Sequence, residues 1–279
     1  MNFFPRGKLI IENLNRATSI IGDLTRTRRE LVYGGLGVLV GTLITVKYGP
    51  DLRHRFFAWL NSKAIQVKFG EYEEFKKELL VSLQEVKSHE AELKRENAIR
   101  ILEIGVGVGA NFSNYPDGSQ LIVVDPNPYF INYYNENRAR FPNIKSESII
   151  VSKGEDMDMV QSNSVDVVVT TLVLCSVNDV AKVISQIKRV LVPGGKYYFL
   201  EHIQEWDTKG HGTRYHLQNF LTWFRIWPVV FDGCCLNRDP LPIINTVGFS
   251  DVSAEKVYAP IPVAFMVVVS PHLRGIATK

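Results

Sequence analysis

The fold class that the chain predicts is α/β, with a doubly wound, mostly parallel sheet of seven strands. Three observations carry it. Beyond Arg100, short runs that are apolar along their whole length alternate with helix-spaced stripes, as strands covered on both faces require. Leu102-Glu103-Ile104-Gly105-Val106-Gly107-Val108-Gly109 reads as a strand turning sharply into a helix, the place where an open parallel sheet holds a nucleoside. About twenty residues further on, Asp125 closes the next apolar run, Leu121 to Val124.

Residues 1–60 differ in character from the rest. Leu31 to Val46 is uncharged, with Arg26, Arg28 and Arg29 before it and Lys47, Arg53 and Arg55 after it. The run is a little shorter than the about 20 residues that span hydrocarbon comfortably. Yet Gly34, Gly35, Gly37 and Gly41 would be costly in a soluble helix and are commoner in membrane ones. The segment is expected to be a helical membrane anchor, as a short span or as an interfacial or re-entrant element. Basic residues on both sides leave its orientation open. Phe56-Phe57-Ala58-Trp59-Leu60 fits either the headgroup region or packing against the catalytic domain.

Residues 61–99 read as an amphipathic helix and a linker. Phe75, Leu79, Leu80, Leu83 and Val86 fall at helical spacing, Glu73, Glu74, Lys76, Lys77 and Glu78 form a solvated face, and His89 to Asn97 is polar. Residues 100–279 hold the sheet. Strands are expected at Ile101 to Ile104, Leu121 to Val124, Ser148 to Val151, Val165 to Thr170 and Lys196 to Leu200. Val180, Val183, Ile184, Ile187, Val190 and Leu191 make a helical stripe, capped at Asn178 or Asp179 and stopped by Pro193-Gly194-Gly195. Val252 to Val257 and Ala264 to Val269 complete the sheet, the latter in an antiparallel pair.

The glycine turn defines chemistry as well as fold. Side chains there would block the tight turn and the close approach of a ligand, and the helix beyond it offers unpaired N–H groups. Gly105, Gly107 and Ala110 satisfy the dinucleotide pattern, whereas Gly105, Gly107 and Gly109 satisfy the G-x-G-x-G of S-adenosylmethionine (SAM) enzymes. Glu103, two residues before the first glycine, favours SAM, because a carboxylate there suits a cationic amino group and repels a pyrophosphate. Asp125 is placed to accept hydrogen bonds from ribose hydroxyls.

Composition narrows the rest. A net charge of +3 over 279 residues is too small for a nucleic-acid binder, which concentrates a larger basic excess on one face. Cys175, Cys234 and Cys235 have neither a disulfide framework nor zinc-ligand spacing, so no metal and a reducing compartment are expected.

LEIGVGVGANF, VVDPNP, KGEDM, SVDVVVTTLVLCSV, KRVLVPGGKYYFLEH, FDGC and the terminal PHLRG, in that order, resemble the membrane-bound small-molecule thiol S-methyltransferases of the methyltransferase-like group. The resemblance runs from about Phe56 to Lys279. It implies a Rossmann-like class I methyltransferase domain over residues 100–279, SAM as cofactor, and small lipophilic thiols as acceptors. It also implies anchoring at the cytosolic face of the endoplasmic reticulum or on lipid droplets. One departure stands out: the family's loop usually reads G-C-G-T-G, and Val106 and Val108 replace Cys and Thr here. Val108 lacks the hydroxyl that bonds the methionine carboxylate.

Site roles are set by position on such a sheet. Glu103, Gly105, Gly107 and Gly109 shape the methionine end, Asp125 holds the ribose, and Pro126 and Asn127 lie beside the adenine. Glu155, Asp156 and Met157 come after the third strand, where class I enzymes contact the adenine ring, with Asp156 equally suited to a helix cap. Thr171 and Leu172 line the methyl-transfer channel. Cys175 fits a small core residue better than a nucleophile. His202 is the preferred base or acceptor-orienting residue, against bonding to Glu201 or backbone. Asp232 either orients something in the pocket or belongs to a plain Asp-Gly turn. Phe220 to Trp227 reads as a hydrophobic lid or as packing over the sheet.

Overall fold

A computed structural model describes residues 49–65, 70–146, 149–261 and 263–279. The Leu31 to Val46 run lies outside the described residues. None of the described helices is long and apolar enough to cross a membrane. The chain divides after Leu52, and Arg53–Lys279 is the larger compact unit.

The sheet has seven strands in the order β3-β2-β1-β4-β5-β7-β6. In chain order these are β1 (Arg100–Ile104), β2 (Gln120–Val124), β3 (Lys145–Ser146), β4 (Val165–Thr171), β5 (Leu191–His202), β6 (Asp251–Tyr258) and β7 (Pro271–Thr278). Strands β3, β2, β1, β4 and β5 pair in parallel, while β7 runs antiparallel between β5 and β6. Strand β1 lies between β2 and β4, so its C-terminal end is the switch point at which such sheets bind ligands.

Alternating side chains enter two cores. Leu102, Ile104 and Val168 join the cluster under α5 (Val180–Val190), and Ile101, Val167 and Val169 join the cluster on the opposite face. The predicted cap holds: Asp179 accepts from the Lys182 N–H at 3.0 Å. The opposite face is covered by residues 49–64, here α1, and by α2 (Gly70–Leu80). Ala58 is fully buried and Phe57 packs beside it, while Phe56 and Trp59 are exposed, so α1 packs one face and leaves the other open. A short α3 (Ala91–Arg95) interrupts the expected linker.

Four expectations need correction. Helix α5 ends at Val190, and Pro193-Gly194-Gly195 lies inside β5, where the register jumps from Val165–Leu191 to Val167–Lys196. The turn is therefore a bulge, with Gly194 at φ 77°, rather than a helix stop. The third strand is short, Lys145–Ser146, with a single later bridge from Ile150 to Val124. Ala264–Val269 forms a 3-10 helix instead of a strand, and its Val268 and Val269 pack with Trp227 and Leu236. The last strand is β7, whose burial alternates from Leu273 onward. Lys76 is buried rather than solvated, its Nζ bonding the Ala110 carbonyl at 3.1 Å.

Candidate active site

The glycine loop folds as the spacing requires. Gly105, Gly107 and Gly109 all have positive φ. A Cβ on Gly105 would stand 2.5 Å from Val173 Cγ2, so the glycine loop also needs the missing side chain to seat against the loop after β4. The Gly107 N–H donates to Asp125 Oδ2 at 2.9 Å, and the Asn127 N–H donates to Oδ1 at 2.8 Å. Burial pushes the Asp125 carboxyl up to about 6, and these two donors oppose it.

Glu103, at the end of β1, is 3% exposed, and burial pushes its carboxyl up to about 7. Its Oε1 accepts from Asn111 Nδ2 at 2.8 Å, and the same nitrogen reaches Thr171 Oγ1 at 3.2 Å. Three elements thus meet through one amide. Sequence reasoning gave Asn111 no role; the only signal for it is a polar residue immediately after the glycine loop. Glu103 Oε2, Asn111 Oδ1 and the Tyr115 hydroxyl are buried without a well-aligned hydrogen-bond partner among the described residues, although the hydroxyl stands near enough to Glu103 to oppose the effect of burial on its carboxyl. Such atoms are costly to leave unpaired, so the cradle suits a ligand that brings donors.

Beyond β2, Asn127 is buried and Pro126 exposed. Asn127 Oδ1 accepts from the Tyr129 N–H, while Nδ2 donates to the His54 carbonyl at 2.9 Å and to Asp232 Oδ2 at 3.2 Å. Asp232 also accepts from Arg53 Nε at 2.9 Å and meets His54 Nδ1 at 2.8 Å. With Asp232 at φ 47°, the Asp-Gly turn joins α1 to the ribose side of the pocket. Asp232 is thus held by Arg53, His54 and Asn127 at once. Sequence reasoning gave Arg53 and His54 no role in the site, leaving this segment open between the headgroup region and packing against the catalytic domain.

The residues after the third strand divide their duties. Glu155 Oε1 accepts from the N–H groups of Asn178 and Asp179 at 2.6 and 3.1 Å, at the start of α5. Asp156 is exposed and pairs with Lys182 Nζ at 2.8 Å, and Met157 is fully buried in the core under α5. A helix start and a lysine thus hold the carboxylates of Glu155 and Asp156, the two acids expected near the adenine ring.

The acceptor edge lies at the ends of β4 and β5. Leu172 is at φ 58° and partly exposed, directly after Thr171. Glu201 Oε2 accepts from the Val173 and Leu174 N–H groups at 2.8 and 3.0 Å, fixing the loop after β4. Burial pushes Glu201 up to about 7. His202 is 4% exposed, and its Nε2 lies 2.9 Å from Cys234 Sγ. The partner expected for its ring, Glu201 or backbone, is therefore replaced by sulfur. Above this edge stand α6 (Gly212–Trp223) and α7 (Ile226–Val230), with Trp227 buried, Leu221 packed beside it, and Phe220, Trp223, Ile226, Val229 and Val230 exposed.

Residues 102–199 match the family described as "Methyltransferase domain". Thiol S-methyltransferase TMT1B of Rattus norvegicus is 35% identical over 228 residues, which is 80% of this chain and 86% of the relative. The chain belongs to the thiol S-methyltransferase family. TMT1A of Homo sapiens is 36% identical over 208 residues, 73% of this chain and 78% of that one. A SAM-dependent methyltransferase structure from Thermotoga maritima shares the fold, with a TM-score of 0.50 and 11% identity over 81% of this chain and 99% of that one.

This thiol S-methyltransferase family member is a SAM-dependent methyltransferase. Its cradle fits the cofactor: the free oxygens of Glu103 and Asn111 match a cationic amino group, and Asp125 stands at the end of β2 for ribose hydroxyls.

Proposed function

We propose that the protein S-methylates small lipophilic thiols at a membrane surface. The observation that carries the acceptor class is the 35% identity to TMT1B, over 86% of a protein named for thiol S-methylation. The acceptor edge supports it, because Cys175, Cys234, Trp227, Leu236, Val268 and Val269 make an apolar surround in which a hydrophobic thiol is favoured.

Bound SAM supplies an electrophilic methyl group. The chain's residues position and exclude water. Glu103 and Asn111 orient the methionine end, Asp125 the ribose, and Thr171 with Leu172 face the acceptor side. His202 orients the acceptor. A thiol with a pKa near about 8.5 is already a few per cent thiolate at neutral pH, so strong general-base help is unnecessary. Positioning then supplies much of the rate.

Membrane association is supported by the exposed aromatics at the end of α6, with Trp223 at 83% and Phe224, directly after the helix, at 62% exposure. The endoplasmic reticulum, cytosolic face, or the lipid droplet is the location we assign. Labelled SAM tests the acceptor: purified full-length protein is offered an alkyl thiol, a phenol, an amine and a lipid headgroup. Label is expected in the thiol alone and is expected to vanish with Asp125→Ala. SAM binding without transfer to any thiol sinks the acceptor assignment.

A further inference from the structure

We propose that Cys175, His202 and Cys234 form a binding site for a soft divalent cation, zinc above all, at the acceptor edge of the sheet. Their ligand atoms all lie within 4.8 Å of one another, and all three residues are buried. No other trio of histidine, cysteine or acidic side chains gathers in this way among the described residues. Around zinc, sulfur sits at about 2.3 Å and imidazole nitrogen at about 2.0–2.1 Å, which puts tetrahedral donors roughly 3.5–3.8 Å apart. The trio's ligand atoms, 2.9 Å apart for His202 Nε2 and Cys234 Sγ and at most 4.8 Å apart overall, bracket that spacing.

The donors come from three separate segments: the loop after β4, the last residue of β5, and the turn after α7. Spacing along the chain therefore carries no zinc signature. Each segment is held from outside the trio. The Cys235 N–H donates to the Cys175 carbonyl at 2.8 Å, Arg238 Nη1 bonds the Leu174 and Val177 carbonyls, and Glu201 fixes the Val173 and Leu174 amides. A site built on supported segments binds without first having to order them.

Charge and softness favour the ion. Two thiolates neutralise a divalent cation, and a neutral Cys2His centre suits surroundings of Trp227, Leu236, Val268 and Val269. Both thiols bind the ion as thiolates, so metal binding displaces protons. His202 Nδ1 has no hydrogen-bond partner among the described residues, so the sulfurs direct the ring. Three protein ligands leave zinc a fourth position, and resting on the thiol reading above, we assign that position to the acceptor's sulfur.

The test uses the full-length chain, expressed with zinc and purified without chelator. Elemental analysis is expected to find about one zinc per chain. Metal-stripped protein titrated with Co2+ should develop the sulfur-to-cobalt charge-transfer absorption of a thiolate site, and an alkyl thiol should shift that band while SAM alone does not. Cys175→Ser and Cys234→Ser should lose both ion and band, whereas Cys235→Ser, outside the trio, keeps them. The wild-type stoichiometry and spectrum decide the matter even where a serine variant fails to fold. Absence of both signals in wild type, a band that survives both trio substitutions, or a Cys175–Cys234 disulfide in non-reduced peptides overturns the site. Zinc bound with no thiol methylated leaves the ion site standing and sinks the thiol reading. A thiol methylated at undiminished rate by zinc-free protein overturns the assignment of the acceptor to the ion.

Discussion

Arg53 and Asp232, 179 residues apart, are joined at 2.9 Å from Nε to Oδ1, which fastens the first helix to the turn after α7. His54 doubles the attachment, and Asn127 extends it to the loop that carries Asp125. A segment that begins the compact unit is thereby coupled to the ribose side of the cofactor pocket.

Asp232→Asn should weaken SAM binding without abolishing it. The Arg53 side chain is about a quarter exposed, so screening holds the pair to roughly 1 kcal/mol, or about a fivefold rise in Kd by calorimetry. Burial opposes ionisation of Asp232, but His54 and Arg53 hold its carboxyl below the ordinary 3.8. A depressed carboxyl contributes stability that is present above its unfolded value and lost as pH falls through its folded one. Thermal unfolding of wild type should therefore drop more steeply below pH 3.8 than that of the variant. An unchanged Kd and parallel acid profiles would refute the latch.

SAM affinity should climb with pH through neutrality. Burial raises Glu103 to about 7 and Asp125 to about 6, while a cationic amino group and ribose hydroxyls both favour the ionised forms. Each unit of pH below 7 should weaken binding by up to about tenfold, until the cofactor's own amino group deprotonates near about pH 8 and the profile bends over. Stability of the ligand-free fold runs the other way. A raised carboxyl contributes fully below its unfolded value, and that contribution is lost as pH rises through about 7 for Glu103 and Glu201. Glu103→Gln should flatten the upper part of the affinity profile; a slope that survives the substitution assigns the proton elsewhere.

Glu155 and Asp125 should separate cleanly. Glu155→Gln removes a charged acceptor from two N–H groups at the start of α5 and should cost about 1–2 kcal/mol of unfolding free energy, with SAM affinity within about twofold of wild type. Asp125→Ala should leave the fold intact and abolish SAM binding. A large affinity loss in the Glu155 variant, at unchanged stability, would support the adenine contact.

The contrast between these two acids shows what the sequence makes legible. Strands β1, β2, β4 and β6, helix α5 and its Asp179 cap are local patterns of period and turn chemistry, and they were readable. The glycine loop and Asp125 are local too. Strand β7 was missed because Ala264–Val269 is the more apolar run, and its apolarity serves Trp227 and Leu236 rather than the sheet. Arg53, His54 and the meeting of Cys175 with Cys234 depend on distant segments converging, and no spacing records that.

Val108→Thr should move two measurements in opposite directions. Val108 is buried among Phe112, Phe130 and their neighbours, so a hydroxyl there costs on the order of 1 kcal/mol, or a few degrees of melting temperature in ligand-free protein. The same hydroxyl restores a donor for the methionine carboxylate and should tighten SAM about three- to tenfold. A lower melting temperature with no gain in affinity would remove Val108 from the cofactor site.

The exposed aromatics at the end of α6, with the apolar residues of α7, should bind membranes independently of the first 51 residues. Phe220 and Phe224 have ring centroids 4.8 Å apart and Trp223 and Phe224 5.8 Å, so the rings form one surface, and α7 adds Ile226, Val229 and Val230. Burying an aromatic side chain is worth about 1.5–3 kcal/mol, most of which Trp223, at 83% exposure, leaves unrealised. A chain shortened to residues 52–279 should still sediment with phospholipid vesicles, more weakly than the full chain. Replacing Trp223 and Phe224 together by serine in that shortened chain should cut partitioning by on the order of a hundredfold, since each ring lost is worth roughly tenfold. Methylation of a water-soluble thiol should be unchanged, because neither residue lies in the trio or the cofactor cradle. If the shortened chain with native aromatics remains in the supernatant, residues 1–51 carry the membrane contact alone.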